Sequence, residues 1–291
     1  MQDSFSPTFF RQLQQLKIRT RRAFLGSRQG MHRSARKGHG LEFADYRQYT
    51  PGDDFRYIDF GVYARTDRLY VREFREEQDL NVMVLLDAST SMGYPEGSNK
   101  FELARALALA LGYVALTDGD TVTFCLLGQR TTPRYTGPQS LSKAMKELHG
   151  ARPEGVFALL SEVRAAMASQ RIPGKCFFVS DFLYPLPEQF DALDYLRSRN
   201  FEICVLRVLA PQELQLDAGL ADVVVDAETG QEVELALDRS SREQYALALA
   251  EHIEGLEHYC RRAEIEYLLV SSAEALNDIV LRKLPQIGVL R

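Results

Sequence analysis

Oxygen-bearing side chains directly follow two apolar runs in this sequence. After the run 81–86 the chain reads Asp-Ala-Ser-Thr-Ser, and after the run 176–179 it reads Ser-Asp. The alternating residues of the first segment can direct three oxygen atoms at one point. Carboxylates, hydroxyls and water are the hard donors that Mg²⁺ and Mn²⁺ prefer, and Mg²⁺ commonly keeps several waters. The predicted ligands of a divalent cation are Asp87, Ser89, Ser91 and Asp181.

The same residues leave two other interpretations open. In a purely structural scaffold, Asp87 and the two serines would cap the following helix and hold its loop by hydrogen bonds, without metal. In a metal-dependent hydrolase acting on phosphate esters or nucleic acid, two ions about 4 Å apart would need several carboxylates. Only Asp87 and Asp181 are placed for that role. The sequence therefore favours a binding module over an enzyme.

The order of elements predicts how these segments meet. Apolar runs typical of strands alternate with helical segments, which indicates βαβ units and a doubly wound, mostly parallel, Rossmann-like sheet. In such sheets ligands bind at the carboxyl ends of the strands, where both polar segments lie. We expect a β-hairpin at 222–235. The predicted strands are 81–86, 121–127, 176–179, 202–209 and 266–270, and the predicted helices are 100–116, 139–149, 157–169, 187–198, 239–262 and 273–283.

The chain of 291 residues is long enough for two domains. We expect a small α+β amino-terminal subdomain over 1–78, with a helix after Ser6-Pro7, a glycine-rich basic loop at 26–40 and a strand at 69–74. The sheet domain then spans 79–291. Carboxylates of the first segment are predicted to pair with arginines and so to hold its irregular loops; the residues concerned are Asp53, Asp54, Asp59, Arg56 and Arg65.

Charge is unevenly distributed along the chain. Residues 1–40 carry nine Lys or Arg and one acid, a local charge of +8, whereas the whole chain is −5 and the remainder is therefore −13. A basic arm on an acidic body binds a partner or folds back on the body. The acidic total and the lack of aromatic residues interleaved with Arg19, Arg21 and Arg22 argue against nucleic acid.

Hydropathy argues against a membrane protein. The best apolar run, 106–116, has eleven residues, well short of the ~20 that a helix needs to cross a bilayer. The amino terminus has no basic stretch followed by an apolar core, so we expect no secretory signal. Three of the four cysteines lie inside apolar strand-like runs, as buried thiols do in a reducing compartment. These features predict a cytoplasmic location.

The Asp-x-Ser-x-Ser pattern after an apolar strand resembles the metal-ion-dependent adhesion site of von Willebrand factor type A domains. The resemblance implies that Ser89 and Ser91 bind the metal, that Asp87 and Asp181 act through water, and that a partner's carboxylate completes the coordination. That family also supplies a threonine from an intervening loop. Here the corresponding position is Val156, which has no oxygen to donate and favours the metal-free scaffold.

The segment 30–65 is similar to the bacterial domain-of-unknown-function 58 family, which joins it to a von Willebrand factor A-like domain. The matching stretches are Gly30-Met-His-Arg-Ser34, Gly38-His-Gly-Leu-Glu-Phe-Ala-Asp-Tyr-Arg-Gln-Tyr49, Pro51-Gly-Asp-Asp-Phe-Arg-Tyr-Ile-Asp-Phe60 and Ala64-Arg65. Phe60 stands where many relatives have tryptophan. Genes of this family often lie beside those of MoxR-type AAA+ ATPases. The resemblance therefore implies a protein-binding adaptor that works with such an ATPase or its substrate.

Overall fold

The computed structural model describes residues 5–21, 42–75, 79–215, 223–225, 232–234 and 239–291. The predicted basic loop at 26–40 lies outside these ranges. The strands are β1 (Glu42–Gln48), β2 (Tyr70–Arg75), β3 (Asn81–Asp87), β4 (Thr121–Leu127), β5 (Arg130–Thr131), β6 (Tyr135–Thr136), β7 (Lys175–Ser180), β8 (Glu202–Leu209), β9 (Val223–Val225), β10 (Glu232–Glu234) and β11 (Glu266–Ser271).

Helices alternate with these strands through most of the chain. Short 3₁₀ turns occur at Phe55–Tyr57, Thr90–Gly93 and Pro138–Ser140, and a π-helical turn at Ile279–Lys283. The α-helices are α1 (Pro7–Leu13), α2 (Phe60–Thr66), α3 (Lys100–Thr117), α4 (Leu141–His149), α5 (Leu159–Met167), α6 (Leu186–Ser198), α7 (Pro211–Leu214), α8 (Arg239–Arg262), α9 (Leu276–Asp278) and α10 (Leu284–Gln286).

The predicted doubly wound, mostly parallel sheet is confirmed. Within the described residues it has seven strands, with β11, β8, β7, β3 and β4 adjacent and parallel in that order, and the short β5 and β6 antiparallel to β4. Strand β3 lies in the centre, between β7 and β4. Its neighbours pair with it in register, so that Leu86 lies opposite Val179 of β7. The carboxyl ends of β3 and β7 therefore meet at one edge.

Burial on both faces explains why these strands are continuous apolar runs. Every residue of β3 is buried. Val82, Val84 and Leu86 face one core with α3 and α4, while Met83 and Leu85 face a second core with α5 and α6. A strand covered on both sides is therefore largely apolar along its whole length rather than at alternate positions. Helices thus cover both faces of the sheet.

The chain divides into two compact units, Met1–Phe24 with Leu80–Arg291, and Leu25–Asp79. This division differs from the expected 1–78 and 79–291 in placing the first residues with the sheet. The physical reason is backbone pairing: the Lys17 N–H donates to the carbonyl oxygen of Arg291 at 2.9 Å, and Arg19 bonds Val289 likewise. Helix α1 begins as predicted, with the Ser6 hydroxyl accepting from the Phe9 N–H at 3.2 Å.

The described part of the basic arm folds back on the acidic body. The Lys17 ammonium lies 2.6 Å from the carboxylate of Asp118. The Arg21 guanidinium lies 3.1 Å from Glu266, and its backbone N–H donates to Glu202 at 2.9 Å. Opposite charges separated in sequence thus meet within one unit, which was one of the two outcomes that the charge distribution allowed.

The smaller unit contains an antiparallel pair, β1 and β2, and helix α2. Arg47 and Arg56 pair with Asp53 and Asp54 respectively, and these ion pairs lie within the loop. The Asp59 carboxylate instead caps α2, accepting from two backbone N–H groups at 2.9 and 3.1 Å. The predicted pairing with arginine is therefore present at Asp53 and Asp54, and Asp59 forms a helix cap.

Two further features complete the fold. Strands β9 and β10 pair antiparallel, as the hairpin predicted at 222–235 requires, while the turn expected between them lies outside the described residues. None of the helices in the described ranges combines the length and apolar character that crossing a bilayer would need.

Candidate functional site

The candidate site forms where β3 and β7 end side by side. Asp87 is the last residue of β3, and Ser180 is the last residue of β7. The Ser180 hydroxyl donates to Asp87 Oδ2 at 2.6 Å, which joins the two strand ends directly. Asp181 follows at once. The parallel register therefore brings together the two polar segments that the sequence placed 93 residues apart.

Asp87 is fully buried and accepts hydrogen bonds from several donors. Besides Ser180, the Ser89 N–H donates to its Oδ1 at 2.8 Å and the Tyr184 hydroxyl donates at 3.4 Å. Burial, followed by the negative charge of Asp181, raises the pKa of Asp87 from 3.8 to about 6, although the hydrogen bonds oppose that rise. A positive charge nearby would therefore stabilise the ionised form of Asp87.

The two serine hydroxyls lie together on the 3₁₀ turn that follows. Ser89 Oγ and Ser91 Oγ are 3.0 Å apart, with Ser89 buried and Ser91 half-buried. Adjacent ligands of an octahedral Mg²⁺ at 2.0–2.1 Å also stand about 3 Å apart. The spacing of the hydroxyl pair therefore matches the edge of a magnesium coordination sphere.

Asp181 has a different environment, because it binds a buried lysine. Its Oδ2 lies 2.9 Å from the ammonium of Lys100, the first residue of α3, and both side chains are completely buried. The same ammonium lies 2.6 Å from Glu213 Oε1 on α7. Lys100 thus joins the loops after β7 and β8. A positive charge already neutralises the second acid of the predicted site.

The loop that contains Glu154 and Gly155 lies against the segment after β3. The Glu154 N–H donates to the carbonyl oxygen of Ala88 at 2.8 Å, and the Thr90 N–H and hydroxyl both donate to Gly155 O, at 3.0 and 3.1 Å. Val156 follows, with 55% of its surface exposed. Its side chain offers an apolar surface beside the turn that carries Ser89 and Ser91.

The donor set fits a divalent cation in part. Asp87, Ser89 and Ser91 form one hydrogen-bonded group with suitable oxygen spacing, whereas the Asp181 carboxylate is engaged by an ammonium. In the parts of the chain that the structure describes, three or more His, Cys, Asp or Glu side chains nowhere converge in a metal-binding arrangement. A cation here would rely on the hydroxyls, water and a single strand-end carboxylate.

Sequence reasoning missed Lys100, Glu213 and Tyr184, and it noted Ser180 beside Asp181 without giving it a role. Lys100 begins a long apolar helix and would ordinarily be assigned to its solvated end. Its partners lie 81 and 113 residues away along the chain. A weak signal existed for Ser180, because a hydroxyl directly before the second acid lies level with the end of β3 in a parallel sheet.

Solved structures with a similar chain path include conserved hypothetical protein BatB from Bacteroides thetaiotaomicron. It is 15% identical, with a TM-score of 0.43, and the match covers 72% of this chain and 98% of that one. An aerotolerance-related membrane protein from Bacteroides fragilis gives the same values.

Relatives in sequence include an uncharacterized protein of Mycobacterium bovis and two from strains of Mycobacterium tuberculosis. Each is 28% identical over 260 residues, which cover 86% of this chain and 80% of the relative. The family model described as "Protein of unknown function DUF58" matches residues 45–255, more than half of the chain. The chain therefore belongs to the DUF58 family.

Proposed function

We propose that this chain is a non-enzymatic protein-binding module, or adaptor, that docks a partner at the carboxyl rim of its sheet. The carboxyl rim is defined as residues 88–99, 152–157, 181–185 and 210–215, the loops and short helix at this edge. Its resemblance to a von Willebrand factor A-like domain with a metal-ion-dependent adhesion site motivates the proposal. The main observation that supports the proposal is the distribution of exposed apolar side chains.

Large apolar side chains are exposed along the carboxyl rim. Elsewhere in the described part of the larger unit, the exposed large apolar side chains are Tyr245 and Leu247 on α8. Exposed apolar side chains grouped around polar residues are typical of protein-interaction sites. The exposed rim residues are Tyr94 (39%), Val156 (55%), Leu183 (40%) and Leu214 (36%).

The order of the strands supports a continuous docking surface. Tyr94, Leu183 and Leu214 follow β3, β7 and β8, which are adjacent in the sheet. The hydrogen bonds of Glu154 and Gly155 place the Val156 loop beside the loop after β3. A partner lying across the strand ends would therefore meet all four side chains.

Mg²⁺ or Mn²⁺ is part of this proposal at the centre of the carboxyl rim. Ser89 and Ser91 would hold the ion, with the Asp87 carboxylate behind them. A bound cation would supply positive charge to attract an acidic group of the partner. The partly exposed Ser91 supports access from outside, whereas Asp181 is committed to Lys100.

The burial of both acids supports a binding role over hydrolysis. Asp87 and Asp181 are 0% exposed, and neither is one of a pair of solvent-facing carboxylates such as two-metal chemistry requires. The Lys100 ammonium and Val156 favour a second candidate, a binding rim that needs no metal. The two candidates differ in whether chelation weakens partner binding.

By family membership, we propose a MoxR-type AAA+ ATPase or its substrate as the cytoplasmic partner. A photo-crosslinking residue in place of Tyr94 tests this against the purified ATPase of the same organism. The matched control carries the same residue in place of Leu247, which is 65% exposed on α8. We expect a crosslink from position 94 and none from 247. Equal crosslinking from both positions, or none from either, would argue against the carboxyl rim as the docking surface.

A further inference from the structure

The Lys100 ammonium links α3 to groups from two other elements. Lys100 is 1% exposed and begins α3, while its carboxylate partners follow β7 and lie on α7. The distances are 2.9 Å to Asp181 and 2.6 Å to Glu213. An ammonium has three N–H donors, and two of them point to carboxylates here. Lys100 therefore pairs at once with a carboxylate after β7 and a carboxylate on α7.

Further hydrogen bonds extend this cluster away from Lys100. The Arg207 Nε donates to the backbone oxygen of Asp181 at 2.9 Å. The second carboxylate oxygen of Glu213 accepts from the Ala210 N–H at 2.7 Å, and its backbone oxygen accepts from Tyr245 on α8 at 3.0 Å. The loop after β7 is thus connected through Lys100 to α7 and α8.

Electrostatics explain why a cation is required at this point. A carboxylate as buried as Asp181 is strongly unfavourable unless a positive charge or several donors compensate it. In a metal site of the kind the sequence suggests, the divalent ion supplies that charge. In this chain the ammonium of Lys100 already lies against the carboxylate, and the loop that could donate a threonine hydroxyl carries Val156 instead.

We infer that Lys100, rather than a divalent metal, neutralises Asp181 at the carboxyl rim. It also fixes the loop after β7 to α7. The rim loops then hold their arrangement with or without Mg²⁺. Any metal at Ser89 and Ser91 would add affinity for a partner but would not order the Asp181 loop. This inference concerns the isolated chain and stands apart from the identity of the partner.

Hydrogen–deuterium exchange of the full chain tests the inference directly. In the wild type, we expect exchange at 181–184 and 211–215 to be the same in millimolar Mg²⁺ and in EDTA. In Lys100→Met, both segments should exchange on the order of 100-fold faster, because removal of one partner leaves buried carboxylates uncompensated. Slower wild-type exchange at 181–184 in Mg²⁺ than in EDTA would overturn the inference, as would unchanged exchange in Lys100→Met.

Two further variants separate this role from general loss of structure. Arg105→Met removes another buried cation of α3, whose guanidinium donates to the carbonyl oxygen of His149 at 3.4 Å rather than to an acid. We expect it to leave both segments unchanged. If Lys100→Met does not fold, Glu213→Gln keeps the contact of Lys100 with Asp181. It should speed exchange only at 211–215, and equal acceleration at 181–184 would contradict the assigned roles.

Discussion

The Ser180 hydroxyl donates a 2.6 Å hydrogen bond to the Asp87 carboxylate across the ends of two parallel strands. Both residues are completely buried. Ser180 Oγ also accepts from the Phe182 N–H at 2.9 Å, so the same hydroxyl shapes the loop that leads to Asp181. This one side chain therefore links the first polar segment of the candidate site to the backbone of the second.

Removal of this hydroxyl should destabilise the fold. We expect Ser180→Ala to lower the free energy of unfolding by about 1–3 kcal/mol, because a buried carboxylate oxygen and a backbone N–H both lose their partner. Urea titration measures the change. Ser198→Ala, which removes an exposed hydroxyl bonded to Tyr195, is the control and should change stability by no more than about 0.5 kcal/mol. Equal effects of the two variants would contradict the role of Ser180.

Asp87 should make stability depend on pH. Its pKa is raised from 3.8 to about 6 in the folded protein, so the native state binds this proton more tightly than the unfolded chain does. The contribution of Asp87 to stability is therefore fully present below pH 3.8 and is lost as the pH rises through about 6, a total loss of about 3 kcal/mol. In EDTA, Asp87→Asn should be more stable than the wild type at pH 7, with the difference shrinking toward pH 4.

Other acids also titrate over this range, so the informative quantity is the difference between the two proteins at each pH. Equilibrium unfolding of both proteins in urea measures it. A constant difference between pH 4 and pH 7 would mean that Asp87 titrates as it does in the unfolded chain.

Metal binding should depend on the serine turn and improve with a restored hydroxyl. We expect calorimetry to record Mg²⁺ heats for the wild type that are lost in both Ser91→Ala and Asp87→Ala. Val156→Thr should bind Mg²⁺ several-fold more tightly, because it places a hydroxyl oxygen in the loop beside Ser89 and Ser91. The exposure of Val156 allows this change at little cost in stability. Equal heats for the wild type and Asp87→Ala would contradict Mg²⁺ binding at this site.

Gly174 should be essential for the start of β7. A Cβ atom at this position would overlap the backbone oxygen of Asn81 at the start of the neighbouring β3. We expect Gly174→Ala to lower the free energy of unfolding by about 3 kcal/mol, since neither strand can move without disturbing the sheet. Gly150→Ala, where the nearest atom would lie 3.9 Å away, is the control and should be close to neutral. Thermal unfolding of both variants checks the contrast.

The sequence predicted the central sheet well because its strands are buried on both faces. The run 82–86 is apolar at every position and 203–209 at every position but Arg207, which distinguishes them from surface elements. Strand β1 was not predicted, because Glu42–Gln48 mixes charged and aromatic residues without a clear apolar period. The helix predicted at 273–283 is instead a succession of short helical turns that continues through Pro285, which occupies the first turn of α10.

The candidate site was predictable only in its local parts. The spacing of Asp87, Ser89 and Ser91, together with the parallel sheet, was sufficient to place the serine turn beside the end of β7. The partners of Asp181 were not predictable, because an ion pair between Lys100 and residues 81 and 113 positions away depends on how three loops pack. Long-range pairing of buried charges leaves no periodic pattern in the sequence.

Partner affinity after a change at Leu183 tests the central claim, that the carboxyl rim docks a protein, most directly. Biolayer interferometry with the purified MoxR-type ATPase would compare the wild type, Leu183→Asp and Leu247→Asp, with and without Mg²⁺. We expect Leu183→Asp to weaken binding at least about tenfold, the effect of losing ~1.4 kcal/mol at an interface, and Leu247→Asp to bind like the wild type. Wild-type affinity in Leu183→Asp, or no binding by the wild type, would contradict the account.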